Sequence, residues 1–76
     1  MNITYKHLRL FVEEENEGWR AYVCDLNSFQ FVHEGRKSYP TVEAAQKEAQ
    51  TKADEILGEA TNIDWREGRH VMNTGG

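Results

Sequence analysis

Across residues 5–13 apolar and polar positions alternate, with Leu8, Leu10 and Val12 on one side and His7, Arg9 and Phe11 on the other. A period of two predicts a half-buried strand. The charged run 14–18 ends in Gly18, which is free to take a positive φ, and suits a hairpin loop of about five residues. A second strand is predicted over 19–24, with Trp19, Ala21 and Val23 on one face and Arg20, Tyr22 and Cys24 on the other. Asp25 and Asn27 supply the next turn through their Asx side chains. A third strand over 29–33 ends at Glu34 and Gly35.

The pattern then changes period. Thr41 is placed to cap a helix, Glu43 faces the positive end of its dipole, and Gly58 stops it. At 100° per residue, Val42, Ala45, Ala49, Ala53, Ile56 and Leu57 form one stripe of roughly 120°, as for a helix packed on a single surface. Pro40 keeps Tyr39 extended just before the cap. The alanines let the helix approach closely, which matches a facing sheet of larger side chains such as Trp19, Phe29 and Phe31. Glu43 with Lys47 and Glu48 with Lys52 are spaced to pair on the exposed side.

Three strands followed by a helix predict an α+β fold, a three-stranded antiparallel sheet with one helix across one face (βββα). Ile63 and Trp65 offer a short extra strand or a fold back over the core. The organisation expected is one domain over residues 1–66 and a flexible tail over 67–76.

A 76-residue chain of this kind buries only about 60–65% of its unfolded surface. Charged residues make up 29% of it and the mean hydropathy is -0.80, so little apolar surface is spare and oligomerisation is a natural supplement. The single cysteine, Cys24, excludes an internal disulfide, and no cofactor motif or metal-ligand spacing is present. With no apolar leader and no stretch of ~20 apolar residues, a cytoplasmic, non-membrane protein is expected. The net charge of -4 disfavours nucleic acid as a partner.

If Leu8, Leu10, Val12, Trp19, Ala21, Val23, Phe29 and Phe31 face the helix, the other face carries Tyr5, His7, Arg9, Phe11, Arg20, Tyr22, Gln30 and Val32. Nothing in the chain covers that face. Aromatics mixed with arginines are enriched at interface cores and also suit a nucleic-acid platform; open antiparallel sheets carry aromatics for cross-strand pairing as well. The residues expected to bind a partner are Arg9, Phe11, Arg20 and Tyr22. His7, His33 and His70 fall on separate elements with no acid at a recognisable spacing, and Cys24 at a strand end reads as inert. A small enzyme with a His/acid site would need a fold that gathers His7 or His33 with a carboxylate.

The run from Gly18 through Trp19, Arg20, Ala21, Tyr22, Val23, Cys24, Asp25 and Leu26, followed by Gly35 and then Thr41-Val42-Glu43-Ala44-Ala45 and an alanine-studded helix to Leu57, resembles the HicB-like antitoxin family. Asn27-Ser28-Phe29 stands where that family usually has a Pro-Gly-Cys turn. The resemblance implies a non-catalytic, homodimeric module with a toxin-like protein partner. The order of three strands and a helix is also similar to the arm-binding domains of phage integrases and to the plant ethylene-response DNA-binding domain, which lay an open sheet face into the major groove. That resemblance implies DNA contacts from Arg9, Arg20 and Tyr22, with Arg36 and Lys37 on phosphate.

Overall fold

The computed structural model describes residues 2–65 and, as backbone, residues 69–70. The chain is α+β, with a four-stranded antiparallel sheet of order β1 (Asn2–Tyr5), β2 (Leu8–Glu15), β3 (Gly18–Asp25) and β4 (Gln30–Glu34). Helix α1 (Val42–Leu57) packs across one face, and a short pair, β5 (Ile63–Asp64) with β6 (Arg69–His70), follows it. Apart from Arg69–His70, the tail expected over 67–76 lies outside the described residues.

The sheet has one strand more than the periodicity predicts. Residues 5–13 do not form one strand, because the chain reverses at Lys6 and His7, where Lys6 holds φ 56°. Tyr5 then pairs with Leu8 and Ile3 with Leu10. This reversal puts Tyr5 on the helix side, where its hydroxyl donates to Glu59 Oε2 at 2.9 Å, and His7 in the turn. Lys6 Nζ reaches Glu59 Oε1 at 2.9 Å, so one carboxylate ties the turn to the end of the helix.

The β2–β3 hairpin is also tighter than expected. Glu15 pairs directly with Gly18, leaving Asn16 and Glu17 as the turn. Gly18, at φ 142°, serves a different purpose: a Cβ there would lie 2.1 Å from the Tyr39 carbonyl oxygen. Its missing side chain admits the segment before the helix, where Trp19 and Tyr39 exchange two backbone hydrogen bonds of 2.8 Å.

The core lies between Ile3, Leu8, Leu10, Val12, Ala21 and Val23 of the sheet and Ala45, Ala49 and Ala53 of the helix. Trp19, Tyr39, Val42, Leu57 and Trp65 pack around it, whereas Ile56, expected within the stripe, is 43% exposed, and Gln46, not expected there, is buried. Every helix residue at the centre of the contact is an alanine, so the backbone rides close over the branched side chains of β2 and β3. The helix ends behave as predicted. Thr41 Oγ1 accepts from the Ala44 amide at 3.2 Å, and Gly58 takes the left-handed conformation at φ 70° with its N–H on the Asp54 carbonyl. Asp54 Oδ1 then accepts from the Thr61 amide at 2.9 Å, which turns the chain back and buries Ile63.

The largest departure from the alternating pattern is in β4. Tyr22 pairs with Glu34 and Val23 with His33, but Cys24 pairs with Phe31, so Val32 is an extra residue in a β-bulge. A bulge shifts the phase of everything beyond it by one residue and so exchanges faces. Phe31, expected under the helix, stands on the open face instead; Gln30 does not, and Phe29 in the turn is 81% exposed.

Gly18→Ala should lower stability by more than about 2 kcal/mol, since both the backbone conformation and the Tyr39 approach forbid a side chain. Urea unfolding followed by circular dichroism measures this, and a loss under about 0.5 kcal/mol would show that the Trp19–Tyr39 bridge does not constrain the hairpin.

Candidate functional site

Two surfaces flank β4, one on each side of the sheet. On the open face the register sets Phe11 opposite Tyr22, and their rings stack with centroids 5.1 Å apart and planes 12° from parallel. Phe31, brought round by the bulge, completes the cluster at 5.9 Å from Phe11 and 5.6 Å from Tyr22. Such spacings are those of favourable ring pairs. Phe31 is still 51% exposed, and Val32 in the bulge and Phe29 in the turn are exposed as well.

The polar residues of that face divide into bound and unbound. Arg20 Nε lies 2.9 Å from Glu15 Oε2, and its guanidinium also reaches the Gly35 carbonyl at 3.4 Å. Glu15 Oε1 accepts from Ser38 as well, at 3.0 Å. Arg20 therefore fixes the loop after β4 to the β2–β3 hairpin, and its charge is largely spent inside the fold. Arg9 and Glu13 are exposed and form no side-chain ion pair among the described residues. They flank Phe11 on β2, two positions to either side. Of the residues expected to bind a partner, Arg9, Phe11 and Tyr22 thus share one exposed face, while Arg20 acts as a tie at its border. Phe31 is the member that periodicity missed, because no residue type in 29–33 marks a bulge.

On the helix side of β4, His33 faces α1. Its Nε2 lies 2.6 Å from Glu48 Oε2, and Tyr39 donates its hydroxyl to Glu48 Oε1 at 2.6 Å. Glu48 therefore turns inward, and Lys52, expected to pair with it, meets Glu55 at 3.4 Å. Gly35 makes room for this arrangement, since a Cβ there would come within 2.8 Å of both Glu48 Oε2 and the Ala21 carbonyl. Burial pushes the Glu48 carboxyl up, but the hydrogen bonds from Tyr39 and His33 and the charge of His33 outweigh it and hold Glu48 below the usual carboxylate value. The same contact raises the Tyr39 hydroxyl.

A histidine paired with an acid is thus present, although fifteen residues separate the two in the chain. Only the packing of β4 on α1 joins them, so no local motif could reveal the pair. Arg36 and Lys37 belong to the loop between β4 and α1, which borders a cleft beside this pair, and Lys37 Nζ sits 5.1 Å from the centre of the Tyr39 ring. Cys24 is free and half-buried, with Sγ 3.8 Å from the Asp25 carbonyl. Among the described residues no group of His, Cys, Asp and Glu side chains gathers to hold a metal ion, and no helix is long and apolar enough to cross a membrane. Set against protein-family models, curated proteins and solved structures, the chain finds no match.

A carboxyl held low in the fold binds its proton less readily there than in the unfolded chain. Its contribution to stability is complete above the unfolded value of 4.5 and is lost as pH falls through the lower folded value. Glu48→Gln should therefore shrink the loss of stability on acidification, leaving the share due to Glu59, whose carboxyl the hydrogen bonds from Lys6 and Tyr5 also lower. At neutral pH it should cost about 1–3 kcal/mol, because His33 and Tyr39 lose a charged acceptor. Urea midpoints across the acid range check both, and an acid slope identical to that of the parent chain would contradict the assignment.

Proposed function

We propose that this chain is a non-catalytic interaction module that pairs with a second copy of itself through the open sheet face. The observation that carries the reading is the Phe11–Tyr22–Phe31 cluster, assembled on the face that the helix leaves uncovered. A small domain with few apolar residues to spare gains stability by burying such a patch against another surface.

The charges around the cluster suit self-pairing. Arg9 and Glu13 sit at equal distances along β2 on either side of Phe11, roughly 7 Å away each at the usual rise of a strand. A twofold axis lying in the interface, across β2 at Phe11, sets each Arg9 over the partner copy's Glu13 and brings the two ring clusters together. Isologous contacts require this kind of self-complementary patch, and two sheets packed face to face keep their strands within about 30° of alignment.

The same face carries Glu13, Glu15 and Glu34, a balance that favours a protein surface over DNA phosphates. The HicB-like resemblance fits the reading, since the residues that carry it include β3, whose Tyr22 belongs to the cluster, and the first turn of α1 behind the sheet. A toxin-like protein is then the second occupant to consider, with the cytoplasm as the setting.

Light scattering on the eluting protein should give a dimer that survives high salt, because ring burial rather than charge drives it. Arg9→Glu should yield a monomer, as it sets like charges against each other at two symmetry-related positions, each opposite the partner copy's Glu13. Combining Arg9→Glu with Glu13→Arg should restore the dimer, while Phe31→Ser should abolish it. A parent chain that stays monomeric would leave the face to a different partner and overturn self-pairing; a dimer indifferent to Phe31→Ser would place the interface elsewhere.

A further inference from the structure

The cleft between β4 and α1 has a volume of about 620 Å³ and is bordered by His33, Arg36, Lys37, Tyr39, Glu48 and Lys52. In a chain of net charge -4, three of its lining residues, Arg36, Lys37 and Lys52, are cations. Arg36 and Lys37 make no ion pair among the described residues, and Lys52 has only the long contact to Glu55 at 3.4 Å. Glu48, at the floor, has an oxygen engaged by His33 and the other by Tyr39, so its charge is already answered. Glu34 also borders the cleft, so the lining sets three cations, Arg36, Lys37 and Lys52, against two carboxylates, of which Glu48 is already engaged.

The segment that presents the two free cations is fixed at both ends. The Gly35 amide donates to the Ala21 carbonyl at 2.7 Å, and Tyr39 exchanges two bonds with Trp19. Arg20 holds the Gly35 carbonyl, and Ser38 donates to Glu15. Lys37 is further placed by the Tyr39 ring. Cations held in position before a ligand arrives lose less freedom on binding it, and a guanidinium beside ammonium groups matches a multiply charged phosphate better than a single carboxylate.

We infer that this cleft is a binding site for a small phosphate-bearing molecule, held by Arg36, Lys37 and Lys52 over the His33–Glu48–Tyr39 floor. Its volume exceeds that of a lone phosphate and falls in the ordinary range for small-ligand sites, about 300–1,000 Å³. The cleft opens along the β4 edge, where Val32 and Glu34 also border it, and none of the Phe11–Tyr22–Phe31 cluster lines it.

Pyrophosphate is the probe. Titrated into the isotope-labelled chain at constant ionic strength, it should produce saturable shifts in the amides of residues 35–39 and in the His33 ring. Arg36→Gln and Lys37→Gln should each weaken binding about tenfold, the loss expected for one charge-assisted contact, while their unperturbed spectra elsewhere confirm the fold. Shifts reproduced by sodium chloride alone would overturn the inference, as would undiminished affinity in the double variant. A response to a single-stranded oligonucleotide with none to pyrophosphate would also overturn it, and would assign the cations to a nucleic-acid backbone.

Discussion

Between Val23 and Cys24 the pairing of β3 with β4 slips by one residue, and the side chains of β4 are sorted by that slip. With Val32 set aside as the extra residue, His33 keeps its place beneath the helix while Phe31 emerges on the opposite face. In a regular strand both would point to the same side, crowding a large ring toward the helix edge and leaving Phe11 and Tyr22 without their third member. The bulge thus builds the apolar cluster on one face and permits the polar floor of the cleft on the other. It also disturbs the exposed edge of the sheet, where an uninterrupted strand would invite indiscriminate pairing.

The helix was legible because its signals are local. Thr41 caps it, Gly58 ends it, and Ala45, Ala49 and Ala53 repeat at the spacing that marks a buried stripe. Ile56 misled because its angle lies within that stripe while its position is in the last turn of the helix, where it is 43% exposed. Strands β2 and β3 were legible through alternation, but the reversal at Lys6 and His7 was not, since neither residue belongs to the usual turn formers and Lys6 adopts a positive φ that its side chain does not favour. Gly18 was read as a loop glycine, whereas the crowding comes from Tyr39, a residue distant in the chain. The open face was anticipated in Arg9, Phe11 and Tyr22. Alternation puts Arg20 on the same face, as its register opposite Glu13 confirms, but only the fold shows that Glu15 and Gly35 already engage its guanidinium.

Long-range contacts explain what local patterns could not. Glu48 joins His33 and Tyr39 from three separate places in the chain, Glu15 gathers Arg20 and Ser38, and Glu59 gathers Tyr5 and Lys6. Each carboxylate fastens a turn or loop to a regular element. These ties stand at the borders of an alanine-faced core whose helix contributes little bulk, so the geometry of both surfaces depends on polar contacts as well as on apolar burial. A hydrophobic cluster and a cleft bordered by Arg36, Lys37 and Lys52 thus flank one edge strand of a very small domain.

The orientation of Phe31 tests this account most directly. Proton–proton proximities from the aromatic rings in solution should connect Phe31 with Phe11 and Tyr22, and His33 with Tyr39, in the same sample. Proximities instead between the Phe31 ring and the methyl groups of Ala45 or Ala49 would mean that β4 runs without a bulge, and both the open-face cluster and the arrangement of the cleft would be contradicted.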